Sequence, residues 1–78
     1  MFVTVKLFGT LRRLSQKETP GYWRGEIPER SRIVDLITLL GTVEAEVAAA
    51  AINGEPYPLE AEIPDGAVVI LVTPVNGG

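Results

Sequence analysis

The sequence contains no cysteine and no histidine. The first absence excludes disulfides, thiolate metal sites and a cysteine nucleophile, and is compatible with a reducing compartment. The second removes the commonest metal ligand and the usual general base near neutral pH. No apolar run approaches the roughly 20 residues of a membrane span. The N-terminus passes directly into a strand pattern, so no signal peptide is expected and the cytoplasm is the default. Basic residues are missing from the whole second part. All seven lie within 1–32 beside three acids, whereas 33–78 hold seven acids and no base. A net charge of −3, without basic and aromatic residues interleaved, argues against a nucleic-acid partner.

What remains is enough for one small domain. The apolar share of 46% in 78 residues is too high for disorder and sufficient for a core. Phe2-Val3-Thr4-Val5-Lys6-Leu7-Phe8 alternates with period two, which predicts a strand. Val3, Val5 and Leu7 fall on one face; Phe2, Thr4, Lys6 and Phe8 fall on the other. Gly9 ends the strand, and Thr10–Leu14 reads as one helical turn or a tight loop. A polar stretch closing in Pro20-Gly21 precedes a second strand, Tyr22–Ile27, stopped by Pro28.

Ser31 has the chemistry of a helix N-cap. Ile33, Leu36, Ile37 and Leu40 then share one helical face, and Gly41 serves as the stop. The four alanines 48–51 have high helix propensity. They run, however, into Asn53-Gly54, the strongest short hairpin signal. The expectation is a short helical piece over 43–47, a strand over 48–52, and a poor edge-type return strand through Pro56, Tyr57 and Pro58. Pro64-Asp65-Gly66 is a turn, and Ala67–Val72 is a last strand, apolar throughout. One helix and a four- or five-stranded sheet make an α+β two-layer fold. A single helix covers one sheet face, so the outward apolar residues form a candidate partner surface.

The ordered set V-T-V-K-L-F-G-T-L-R-R-L, E-I-P-E-R-S-R-I-V-D-L-I-T-L-L-G, A-I-N-G-E and I-P-D-G-A-V-V-I-L-V-T-P-V-N-G-G covers nearly the whole chain. In that order, with its Gly-Gly end, the sequence resembles the MoaD/ThiS family of ubiquitin-like sulfur carriers. The likeness is greatest to the MoaD branch, the small subunits of molybdopterin synthase. The resemblance implies a β-grasp domain over 1–73, with a mixed sheet packed on one main helix, and a flexible tail over 74–78.

It also implies a chemistry carried by Gly78, whose carboxylate is adenylated and then converted to a thiocarboxylate. The carrier binds no metal and no cofactor of its own; ATP is used by an E1-like adenylating enzyme, and the sulfur comes from a sulfurtransferase system. The second protein partner is the large subunit of molybdopterin synthase, or thiazole synthase if the chain is of ThiS type. A ubiquitin-like modifier or interaction module is the further alternative. Pro74, Val75, Asn76 and Gly77 are expected to thread a partner's channel. Without a Cβ, the terminal glycines can approach a nucleotide closely, and the five residues reach at most about 17 Å.

Phe8, by strand parity, and Val72, by resemblance, are the expected docking pair, with Tyr57 extending the patch. The alternative for Phe8 is rim packing against Leu11 or Leu14. Trp23 reads as core or edge packing before partner contact, and Arg12-Arg13 as solvated surface.

Overall fold

Five strands form one sheet in the computed structural model, which describes residues 1–74. They are β1 (Phe2–Leu7), β2 (Tyr22–Glu26), β3 (Ala49–Ile52), β4 (Glu55–Tyr57) and β5 (Val68–Val72), in the spatial order β2-β1-β5-β3-β4. Helix α1 (Ile33–Leu40) and two short 3-10 turns, Gly9–Leu14 and Glu44–Glu46, complete the fold. β1 and β5 run parallel in the centre, and every other pairing is antiparallel. A parallel pair needs a long crossover; here β2, α1, β3 and β4 all intervene in sequence. This is the mixed sheet on one helix of the β-grasp fold.

The period-two pattern sets the core. Val3, Val5 and Leu7 of β1, with Val69 and Leu71 of β5, are buried against Ile33, Leu36 and Ile37 of α1. Fully burying such a side chain contributes about 1.5–3 kcal/mol each, so this layer is the main source of stability. The alanine run is strand rather than helix. Ala50 and Ile52 pair with Leu71 and Val69 and are buried with them, so tertiary pairing overrides a weak propensity.

Local chemistry closes each element. Asn53 and Gly54 both take positive φ (51° and 88°), as a two-residue hairpin joining right-twisted strands requires. Asn53 also accepts the Val68 N–H on Oδ1 at 3.0 Å, tying the hairpin to β5. Gly41 is left-handed, and the Gly41 and Thr42 N–H groups donate to the Thr38 and Ile37 carbonyls. The N-cap position is Arg32 rather than Ser31, whose hydroxyl donates instead to the Pro28 carbonyl at 2.6 Å. The first helical N–H groups need no serine, because Ile33 and Val34 donate to the Ala61 and Leu59 carbonyls. Asp35 Oδ2 in turn accepts the Arg32 N–H at 2.8 Å.

The loop before β2 has a definite task. Gln16 Nε2 donates to the Arg24 carbonyl at 2.7 Å, and its Oε1 accepts the Arg24 N–H at 3.1 Å. The Gln16 backbone N–H donates to the Tyr22 carbonyl at 3.0 Å. One glutamine thus stands in for a neighbouring strand and blunts an edge that would otherwise invite pairing. Pro56, lacking an N–H, sits in the strand at the opposite edge. Trp23 packs partly buried against the core. Its ring lies so close over Gly25 that a Cβ there would fall 2.7 Å from Trp23 Cη2.

Candidate functional site

Alternation sends the other half of each strand outward. Thr4, Lys6 and Phe8 on one side, and Val68, Ile70 and Val72 on the other, form facing rows on the sheet face away from α1. The register pairs Thr4 with Val68 and Lys6 with Ile70. One residue on, the Phe8 N–H still donates to the Leu71 carbonyl at 3.1 Å, which sets Phe8 beside Val72. Val72 faces Ala49, and Ile70 faces Ala51, on β3. Phe8 remains 40% exposed and Val68 42%, while Ile70 and Val72 are half-buried, so this face carries a partly open apolar stripe. The Lys6 ammonium lies 5.3 Å from the centre of the Phe8 ring, confirming that both share the open face. Across β1, the Arg24 guanidinium lies 5.6 Å from the Tyr22 ring. The surface is therefore an apolar stripe flanked on the β1–β2 side by two cations.

Tyr57 does not extend that stripe. It stands opposite Ala50, which in turn faces the buried Leu71. Residues directly opposite each other share a face, so Tyr57 belongs to the α1 side of the sheet, at its β4 edge. The two prolines beside it concealed its parity from the sequence.

The chain leaves β5 at Val72 and passes through Thr73 and Pro74, beside Thr10, Ala45 and Glu46. Glu46 is not a free carboxylate. Its Oε1 accepts the Thr42 hydroxyl at 2.6 Å and Arg13 Nη2 at 2.8 Å. The Thr42 bond first, then the Arg13 bond and charge, hold its carboxyl below the ordinary value. Arg13 also donates to the Thr10 carbonyl at 3.0 Å, so this arginine links the two 3-10 turns. Its pairing with a residue 33 positions away carries no periodic signal. Val75, Asn76, Gly77 and Gly78 lie outside the described residues. Among the described residues, no group of three or more His, Cys, Asp or Glu side chains could hold a metal ion. No described helix is long and apolar enough to cross a membrane.

Comparison with known proteins agrees with this geometry. SAMP1 from Haloferax volcanii is similar with a TM-score of 0.71 at 21% identity, covering 100% of both chains, which shows a common fold. A candidate molybdopterin converting factor subunit 1 from Pyrococcus furiosus gives 0.69 at 26% identity, over 95% of this chain and 98% of that one. The complex of subunits 1 and 2 of molybdopterin-converting factor from Helicobacter pylori 26695 contains a chain matched with a TM-score of 0.63 at 25% identity, with 100% of both chains covered. No curated protein matches in sequence. The fold is the ubiquitin-like one of ThiS/MoaD-type sulfur carriers. The model of the ThiS family matches residues 5–78, which takes in the end of β1, the other four strands, the helix and the Gly-Gly pair, and the chain belongs to the ThiS family.

Proposed function

We propose that this chain is a sulfur carrier of molybdopterin synthesis, with Gly78 as the reacting residue and the open sheet face as the docking surface. The observation that carries the reading is the family match running through Gly77 and Gly78, on a sheet whose partly open apolar stripe ends where the tail begins. A carboxylate has no good leaving group, so the carrier cannot react unaided. In the proposed sequence, a Gly78 carboxylate oxygen attacks the α-phosphorus of ATP on an E1-like enzyme, and pyrophosphate leaves. The terminal sulfur of a persulfide, supplied by a sulfurtransferase, attacks the acyl carbon and AMP leaves. A second thiol then cleaves the S–S bond, leaving the thiocarboxylate and a disulfide. Beyond that terminal carboxylate the carrier supplies no side-chain base or nucleophile, which suits a sequence without His or Cys. Its contribution is position and reach.

Phe8 and Val72 are the proposed centre of docking, for the activating enzyme and for the large subunit in turn. The relative from Helicobacter pylori, a complex of subunits 1 and 2, supports a two-subunit assembly for this chain too. The match to the ThiS family favours keeping a second reading, sulfur delivery for thiazole synthesis. It shares every step up to the thiocarboxylate and differs only in the acceptor.

The test is intact mass spectrometry after incubation with a cognate E1-like enzyme, ATP and a persulfide source. The expected product has one oxygen replaced by sulfur in the C-terminal peptide, and deletion of Gly78 abolishes it. No change with any cognate activating enzyme, while a control carrier reacts, rejects the carrier reading. Amide-linked conjugates in place of thiocarboxylate would mark a protein modifier.

A further inference from the structure

We infer that Gly9 is a positioning residue for the tail: the turn it makes seats Thr73, and so fixes the direction in which the chain leaves the sheet. The inference rests on the carrier reading above. β5 ends at Val72, and Thr73 is the first residue beyond it. Gly9 follows Phe8, at the same level of the neighbouring strand, with φ of +62°. A Cβ on Gly9 would run into Thr73 Oγ1, with the Thr73 Cβ and Cγ2 only 3.2 and 3.3 Å away. Glycine is thus required twice here, once for a left-handed backbone and once for the space that Thr73 occupies.

The other wall of the seat is equally fixed. Thr10, Ala45 and Glu46 line a groove of about 320 Å³ with Thr73 and Pro74. Glu46 is held by Thr42 and Arg13, and Arg13 is anchored to the Thr10 carbonyl. The root of the tail therefore lies between two segments distant in sequence and tied to each other. This matters because the tail is short. Five residues reach at most about 17 Å at full extension, so the position and direction of the root bound where the terminal carboxylate can be delivered. Displacement of a reacting group by about 1 Å can cost about 100-fold in rate. Gly9 acts through Thr73, whose side chain a Cβ there would meet.

The test compares initial rates of thiocarboxylate formation, with the cognate activating enzyme, ATP and a persulfide, over a range of carrier concentrations. Asparagine tolerates the left-handed region, so Gly9→Asn retains the turn while its Cβ meets Thr73. The expected result is a fall in kcat of about 10-fold or more, with KM within about twofold because the open face is retained. Gly9→Asn with Thr73→Ala recovers most of the lost kcat. Thr73→Leu, which crowds the seat from beyond the last strand, reproduces the loss even if Gly9→Asn does not fold. Wild-type kcat in Gly9→Asn or in Thr73→Leu, or a loss that Thr73→Ala does not recover, overturns the inference. Wild type runs in parallel. If it takes up no sulfur, the carrier reading falls, and the seat is judged on the Thr73 N–H residual dipolar coupling. A change in Gly9→Asn that reverses in the double variant supports the seat, and an unchanged coupling overturns it.

Discussion

The two faces of one sheet differ more than any two segments of the chain. Along β5, Val69 and Leu71 are shut away under α1, while Val68, Ile70 and Val72 between and beside them face outward. Both sets are aliphatic. Folding needs only the first, because a single helix covers a single face. An antiparallel sheet with one wet face ordinarily alternates apolar with polar, and β1 does so at Thr4 and Lys6. β5 does not. Its outward residues, half-buried or exposed, contribute less to the isolated fold than the covered ones and are suited to a surface that a partner will cover.

Neighbouring substitutions separate the two roles. Leu71→Ala opens a cavity in the covered layer and should cost about 2–5 kcal/mol. For a domain of this size that lowers Tm by more than about 10 °C in calorimetry. Ile70→Ala, one residue away on the open face, should cost less than about 1.5 kcal/mol in the same scan. Equal losses at 70 and 71 would break the distinction between the faces. A smaller effect comes from the cations beside the stripe. Lys6→Glu should change stability by no more than about 0.5 kcal/mol, yet slow association with the activating enzyme in stopped-flow at low salt if the partner's rim is acidic.

The smallest effect concerns Glu46, away from both faces. Its carboxyl titrates below its ordinary value of 4.5 because Thr42 and Arg13 stabilise the charged form. A carboxylate of this kind stabilises the fold above its unfolded pKa, and that contribution is lost as pH falls through the lower folded value. Thermal melts from about pH 7 to about pH 3 should therefore show a slightly shallower acid decline in Glu46→Gln.

Much of the covered face was legible in the sequence. Period two in β1, the helical spacing of Ile33, Leu36 and Ile37, and Asn53-Gly54 are local signals, and each formed the element expected of it. The open face was legible in part: Phe8 followed from parity, whereas Tyr57 did not, because Pro56 and Pro58 obscure the register of a three-residue edge strand. What the sequence concealed were contacts between distant segments. The helix start at Arg32 depends on carbonyls at Leu59 and Ala61. Gln16 closes an edge eight residues away, and Arg13 holds Glu46 across 33 positions. None of these carries a periodicity, and no propensity reports them.

The most direct test of the division between faces is a calorimetric titration of Phe8→Glu with Val72→Glu against the activating enzyme, paired with a thermal melt of the same protein. Covering an aromatic and a valine is worth roughly 3–5 kcal/mol by area, so binding should weaken by at least about 100-fold, with Tm close to that of wild type. Unchanged affinity would exclude this surface as the docking site, and a collapsed Tm would assign both residues to the core.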